Sequence, residues 1–189
     1  NPQKIISLVG ATMLFVAVML IFPLLISLIY NEGDTIAFVQ SILIITIVGG
    51  VMFLQGRKEK DINLRSGFAV VTFGWLAIAF AGALPFYFSG AIPSFTDCVF
   101  ESMSGFSTTG SSILGPHLLI ESLPKGVLFW RSLTHWIGGM GIILLSLAIL
   151  PLLGVGGMQL YRAEFPGPVK DKLTPRIKTT ASILWGVYV

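Results

Sequence analysis

Apolar residues fall into long uninterrupted blocks along this chain. Residues 5–30, 35–55 and 66–89 contain no charged side chain, and residues 126–153 form a further block whose only charge is Arg131. A helix of about 20 residues, rising about 1.5 Å per residue, crosses the hydrocarbon core of a bilayer. The pattern therefore predicts an all-α polytopic membrane protein with a spanning helix in each of these blocks.

The composition supports this prediction and excludes other classes. Hydrophobic residues make up 54% of the 189 residues and charged residues only 11%, whereas soluble domains carry about a quarter charged residues. A water-soluble fold could not hide so much apolar surface. The one cysteine, Cys98, excludes an intramolecular disulfide, and two histidines cannot build a closed zinc site.

The basic residues predict the orientation of the spans. Most of the 12 Lys and Arg residues lie at the start of the chain, in the linker 56–65 or in the linker 154–180. Basic residues mark the cytoplasmic side of a membrane protein, so we expect these segments to be cytoplasmic and residues 31–34 and 90–125 to face outward. With spans on either side, topology explains the charge better than nucleic-acid binding does.

A shorter helix is predicted between the third and fourth blocks. Ser94 or Thr96 is a candidate N-cap, and Asp97 in the first turn favours the positive end of the helix dipole. Thirteen residues, 94–106, give a helix of only about 20 Å, too short to span. Apolar residues at helical spacing are expected to pack it against the protein: Phe95, Val99, Phe100, Met103 and Phe106.

A polar run, residues 107–112, follows this helix. Irregular backbone at membrane depth is tolerated only where it is buried in protein or lines a watery cavity. Gly110 can adopt a positive φ, which lets successive carbonyls turn toward one axis and replace the hydration shell of an ion. The negative end of the preceding helix also favours a cation. We expect a re-entrant loop that handles a monovalent cation, with an ordinary external turn as the alternative.

Two segments resemble the first pore loop and the following helix of the Trk/Ktr/HKT superfamily of potassium transporters. They are residues 100–112 (FESMSGFSTTGSS) and residues 130–141 (WRSLTHWIGGMG). Residues 162–176, with the runs EFPGP and KLTP, are similar to the next loop of the bacterial Trk membrane subunit. Two helices ahead of the first repeat also agree with the Trk subtype.

The resemblance implies a domain organisation. It implies two N-terminal transmembrane helices in residues 1–60, then one helix–pore loop–helix repeat in residues 61–160. A cytoplasmic linker, 161–180, and the start of the next repeat, 181–189, would follow. Four such repeats in one chain surround a single pore in this superfamily, so these 189 residues are expected to be a fragment that supplies the first of four filter strands.

The resemblance also implies the site and its partners. Gly110 would be the filter glycine, the carbonyls of Thr108 and Thr109 would be ligands of K+, and Ser111 would be a weaker candidate. No other metal, no cofactor and no enzymatic activity is implied. The implied partners are the other three repeats, a second copy in a homodimer, a cytoplasmic nucleotide-binding regulatory subunit of the TrkA type, and the bilayer of the inner (plasma) membrane.

Four further side chains near the loop have two interpretations each. Asp97 and Glu101 are candidate proton relays or ion ligands, but we favour a capping role for Asp97 and a bracing role for Glu101. Arg131 and His135 lie four residues apart on one helix face. They either hold the loop, by pairing with Glu101 or with loop carbonyls, or have local roles at the interface and within their helix. The local roles are favoured for both.

Other functions are less well supported by the residues. Gly138, Gly139 and Gly141 are either a gating hinge or, as we favour, a place where helices approach closely. A non-conducting membrane anchor or assembly segment is the main alternative function. An intramembrane hydrolase with a serine of the loop and His135 is disfavoured, because a nucleophile-elbow motif is absent from the sequence. Channel-like and ion-coupled transport both remain open.

Overall fold

The part of the chain that the structure describes is mostly helical. A computed structural model describes residues 2–56, 64–115, 120–149 and 186–188, and these contain no β-strand. The predicted linker 161–180 and most of the predicted segment 181–189 lie outside them. The six α-helices are α1 (Pro2–Met19), α2 (Ile21–Tyr30), α3 (Thr35–Gln55), α4 (Leu64–Phe88), α5 (Phe95–Phe106) and α6 (Lys125–Ile149), with one 3-10 turn at Ile120–Ser122.

Three stretches of the described residues are long and apolar enough to cross a membrane. They are Pro2–Tyr30, Thr35–Gln55 and Ser66–Phe88. Many of their large apolar side chains face outward, including Ile29, which is 75% exposed, and Leu54, which is 66% exposed. The helical membrane-protein class predicted from the sequence is therefore confirmed. A fourth spanning helix, within α6, stays a prediction.

The first predicted span is interrupted. The sequence pattern predicted one helix over residues 5–30, but the structure has α1 and α2 with a turn at Leu20. Pro23 explains the break, because it has no N–H to donate to the carbonyl of Met19 and its ring crowds that carbonyl. The chain keeps its direction, since Leu20 N–H donates to Val16 O at 3.0 Å and Leu24 N–H donates to Leu20 O at 3.1 Å.

Glycines let α1 and α3 approach closely. A Cβ at Gly10 would lie 2.6 Å from the carbonyl oxygen of Gly49 and 2.6 Å from the amide nitrogen of Phe53. The Ser7 hydroxyl donates to Phe53 O at 2.9 Å across the same interface. Small residues at such crossings allow backbone-to-backbone packing, which drives helix association in a bilayer. α4 packs against both α1 and α3, so each of these three helices contacts the other two.

A second close approach joins α4, α5 and α6. A Cβ at Gly82 in α4 would lie 2.5 Å from Ser102 Oγ and 2.6 Å from Phe106 Cε2, both in α5. The carbonyl of Gly82 accepts a hydrogen bond from Trp130 Nε1 of α6 at 2.9 Å. Phe106 and Trp130, both fully buried, meet edge to face with ring centroids 6.1 Å apart. These contacts fix the short helix α5 between its neighbours.

The chain divides into two compact units, residues 1–136 and 137–189. In the second unit a Cβ at Gly139 would overlap with the Tyr188 hydroxyl, whereas a Cβ at Gly141 would meet nothing within 4 Å. The packing interpretation therefore agrees with the structure at Gly139 but not at Gly141.

The α1–α3 crossing can be tested by adding one methyl group. Gly10→Ala would force its Cβ against backbone atoms of α3, which cannot rotate away, so we expect a loss of about 1–3 kcal/mol of stability. Gly50→Ala is the matched control, because a Cβ there meets nothing within 4 Å and alanine is favoured over glycine in a helix by about 1 kcal/mol. Denaturant titration in detergent micelles measures both. Equal stability of the two variants would contradict this packing.

Candidate ion-binding loop

The short helix α5 begins with a serine cap. Ser94 has extended backbone angles, and its Oγ accepts a hydrogen bond from the Asp97 amide at 3.4 Å. Asp97 lies in the first turn, where the partial positive charge of the helix dipole stabilises a carboxylate. The predicted site residue Asp97 is therefore about 15 Å along the helix axis from residue 107 and lies at the other end of α5 from the loop.

The face of α5 that packs within the chain consists mostly of small or polar residues. Its buried residues are Cys98, Glu101, Ser102, Ser104, Gly105 and Phe106. Of the apolar residues expected to pack against the protein, Phe106 is buried, whereas Phe100 and Met103 are exposed in this chain. Phe95 is partly exposed but contacts the ring of Tyr87 in α4, with the ring centroids 5.4 Å apart. In an apolar environment the polar groups need partners inside the protein, whereas outward-facing apolar side chains cost nothing.

A Schellman motif ends α5 and starts the loop. The Thr108 amide donates to Gly105 O at 2.9 Å, and the Thr109 amide donates to Ser104 O at 3.1 Å, the two hydrogen bonds that define this motif. Thr108 takes the left-handed position, with φ of 56°, where glycine is usual. A β-branched residue there is unfavourable by about 1–2 kcal/mol, and such strain persists only where the surroundings impose it.

Gly110 provides a second left-handed position in the loop. Its φ is 75°, and a Cβ at this residue would meet nothing within 4 Å. Its backbone conformation, and not crowding, is therefore what favours glycine here. The Ser107 and Thr109 hydroxyls lie 2.7 Å apart and form a hydrogen bond within the loop.

The loop carbonyls fall into two groups. The Ser111 carbonyl accepts a hydrogen bond from the Ser104 hydroxyl, so it points toward α5. Within the described part of the chain, no hydrogen bond is donated to the carbonyls of Thr108, Thr109 or Gly110. The four predicted ion-binding residues are adjacent in the chain, but only the carbonyl of Ser111 accepts a hydrogen bond within the described residues.

The Glu101 carboxylate holds the far side of the loop. It is 1% exposed and accepts hydrogen bonds from the Ser112 hydroxyl at 2.9 and 3.0 Å and from the Ile113 amide at 3.2 Å. It also forms an ion pair with Arg131 Nε of α6 at 2.7 Å. A buried carboxylate is tolerated only with such pairing. Glu101 therefore joins α5, the loop and α6 at one point.

Arg131 and His135 make different contacts although they share a helix face. The Arg131 side chain is 21% exposed, and its charge balances that of Glu101, so the pair adds no net charge behind the loop. His135 Nδ1 lies 2.9 Å from the carbonyl oxygen of Arg131 in its own helix. Of the two predicted partners, only Arg131 reaches Glu101 in the structure, and His135 makes the local contact.

The close approach of α5 to α6 depends on Gly105. A Cβ there would overlap with Thr134 Oγ1 and lie 3.5 Å from His135 Nδ1. This position, together with Ser104 and Ser112, was missed in the sequence analysis. A signal was present, because Ser104 and Gly105 lie three and four residues after Glu101 and so share one helix face with it.

These features define a helical membrane protein whose buried ion pair supports a strained polar loop. The TrkH family of cation transport proteins matches residues 34–189, and the chain belongs to this family. It is 46% identical over 190 residues to the Trk system potassium uptake protein TrkH of Escherichia coli K12 and 36% identical over 169 residues to TrkG of the same strain. These alignments cover 99% and 88% of this chain, but 39% and 34% of those proteins.

A solved structure gives the same result. The crystal structure of the potassium transporter TrkH from Vibrio parahaemolyticus matches with a TM-score of 0.80 and 35% identity, covering 100% of this chain and 37% of that one. The chain thus spans about two-fifths of the length of these relatives. Family members are transporters, so the prediction that this is not an enzyme is confirmed.

The buried ion pair can be tested by a double-mutant comparison. Glu101→Gln leaves the Arg131 guanidinium without its counter-charge, so we expect a loss of about 3 kcal/mol of stability. Adding Arg131→Gln should recover part of that loss, because no unpaired charge remains. Asp97→Asn, also on α5 but at its exposed start, is the control and should cost about 0.5 kcal/mol. Denaturant titration in micelles measures these variants together with Arg131→Gln alone, and losses of the two single variants that simply add in the double variant would argue against the pair.

Proposed function

We propose that this chain is part of a potassium uptake protein in which residues 107–112 are a re-entrant pore loop. The observation that carries the proposal is the set of three adjacent loop carbonyls, at Thr108, Thr109 and Gly110, that accept no hydrogen bond in the described chain. Membership of the cation transport family and the names of the relatives support potassium as the ion.

The physical chemistry of the loop suits a monovalent cation. Carbonyl oxygens replace the water ligands of potassium in a filter, and two left-handed positions within three residues alter the direction of successive peptide planes. The C-terminal end of α5 carries a partial negative charge of about half an electron, which favours a cation without binding it as tightly as a carboxylate would. Thr108, Thr109 and Gly110 are the proposed ligands, and Ser111 is not, because Ser104 already engages its carbonyl.

The neighbouring charged residues are proposed to support the loop and not to bind the ion. The Glu101 carboxylate is engaged by Ser112, Ile113 and Arg131, so it acts as a brace and not as a proton relay. Asp97 stabilises the start of α5, and His135 stabilises its own helix. A cation site formed by carbonyls and backed by a neutral ion pair attracts potassium without trapping it.

The proposed architecture extends beyond this chain. Residues 1–60 are two N-terminal transmembrane helices, and residues 61–160 are the first helix–pore loop–helix repeat, which supplies one of four filter strands. The other three strands come from the rest of the protein. We propose that the protein is a homodimer in the inner membrane, with its basic linkers in the cytoplasm and its loop entering from the outer face. A TrkA-type regulatory subunit is proposed to bind on the cytoplasmic side.

Potassium uptake by cells that lack their own uptake systems tests this function. A serine at position 110 must adopt a left-handed conformation, a strain of about 1–2 kcal/mol, which corresponds to about a tenfold change in an equilibrium. We expect Gly110→Ser in the full-length protein to lower potassium uptake by about tenfold or to let sodium pass.

Gly90→Ser is the matched control. Gly90 also has a positive φ, 68°, and open space at its Cβ position, so it carries the same strain but lies outside the loop. Wild-type uptake by this control is expected. If Gly110→Ser takes up potassium as the wild type does at equal expression, the loop is an external turn and the non-conducting anchor becomes the better explanation.

A further inference from the structure

The loop between α2 and α3, residues 31–34, contacts the start of α6. Glu32 Oε2 accepts a hydrogen bond from the Lys125 amide, 93 residues further along the chain. Asp34 is 4% exposed, and its Oδ1 accepts a hydrogen bond from the Ser27 hydroxyl. A Cβ at Gly126 would overlap with Asp34 Oδ2. Two carboxylates of one short loop therefore meet the first two residues of one helix.

The partial positive charge at the start of α6 explains why two carboxylates lie there. The first amides of a helix have no partner within it, and the helix dipole places about half a positive charge there. Leu128 N–H is the first to find a carbonyl at this end, that of Pro124, at 3.0 Å. The Glu32 and Asp34 carboxylates are complementary to this charge. Asp34 Oδ2 is buried and has no hydrogen-bond partner in the described chain, so its stabilisation comes from the field of the helix end.

The same helix carries the arginine that supports the candidate filter. Arg131 lies six residues after Lys125, about 9 Å along the axis of α6. A hydrogen-bonded helix does not compress, so a shift at its first turn moves Arg131 by a similar amount. Arg131 holds the Glu101 carboxylate, which in turn holds Ser112 and Ile113.

We propose that the α2–α3 loop is a positioning element for the proposed filter loop. Asp34 and Glu32 set the axial position of α6, and through Arg131 and Glu101 they set the position of residues 107–112. The inference rests on the proposed potassium transport and assigns a role in it to the two N-terminal helices. Asp34 and Glu32 are positioning residues, since neither touches the loop.

Ion affinity and selectivity test the proposal in the full-length protein. Asp34→Asn keeps the size of the side chain and removes its charge from the end of α6, and Glu32→Ala removes the exposed contact. For each variant the potassium concentration for half-maximal uptake and the potassium-to-sodium uptake ratio are measured per molecule in the membrane. We expect the half-maximal potassium concentration, the potassium-to-sodium ratio or both to change by about threefold or more in each variant. Glu32→Asp should restore part of the change that Glu32→Ala causes.

Ser41→Ala is the control. Ser41 is also fully buried in α3, and its hydroxyl donates to Ala37 O of its own helix at 2.7 Å, so its loss should leave uptake per molecule unchanged. If Asp34→Asn does not reach the membrane, Glu32→Ala decides in the same way. If the wild type transports potassium and these variants keep its affinity and selectivity, the inference is overturned but the proposed function is not. A wild type that takes up no potassium overturns the proposed function as well.

Discussion

The buried carboxylate of Glu101 is the interaction on which the rest of this structure depends. It lies in a helix too short to span a membrane, and it is removed from solvent almost completely. Such a group is stable only if its charge is balanced and its lone pairs are filled. Arg131 supplies the charge, and the hydroxyl of Ser112 and the amide of Ile113 fill the remaining positions. Because these donors belong to α6 and to the loop, satisfying one carboxylate fixes three segments together.

This fixation explains how the chain can hold an unfavourable backbone. Thr108 occupies a left-handed position that suits glycine, and Gly110 adopts another two residues later. An unsupported loop would relax toward commoner conformations. Here the Schellman hydrogen bonds hold the first end of the loop, and the contacts of Ser104 and Glu101 hold the second. The carbonyls of the residues between accept no hydrogen bond from the described chain. In the proposed function, these preorganised carbonyl oxygens replace the hydration shell of an ion.

The sequence predicted the helices well where one physical rule decided the outcome. The apolar block 35–55 is the helix Thr35–Gln55, because a loop and a basic linker bound it on either side. The break at Leu20 was missed, although Pro23 is its visible cause. The packing of α5 was predicted only in part. Phe106 is buried as expected, but Phe100 is exposed. Rules derived for water-soluble helices place apolar residues inward, whereas the inward face here also holds Glu101, Ser102 and Gly105.

The contacts of the site were less predictable than its residues. The sequence indicates Glu101 and Arg131 as site residues but favours a local role for Arg131, since residues 30 positions apart carry no periodic signal of their contact. The sequence indicates no role for the α2–α3 loop, because the approach of Glu32 to Lys125 depends on how α2, α3 and α6 pack. Spacing along one helix can be derived from a sequence, but such long-range contacts need the three-dimensional fold.

Crystals of the full-length protein grown with Rb+ in place of K+ test most directly whether the carbonyls of this loop bind the transported ion. Rubidium resembles potassium in size and scatters anomalously, so its position can be measured without assumptions about ligands. We expect an anomalous peak coordinated by the carbonyl oxygens of Thr108, Thr109 and Gly110, with the Ser111 carbonyl still hydrogen-bonded to Ser104. A peak only at other residues, or no peak at this loop at saturating Rb+, would contradict it.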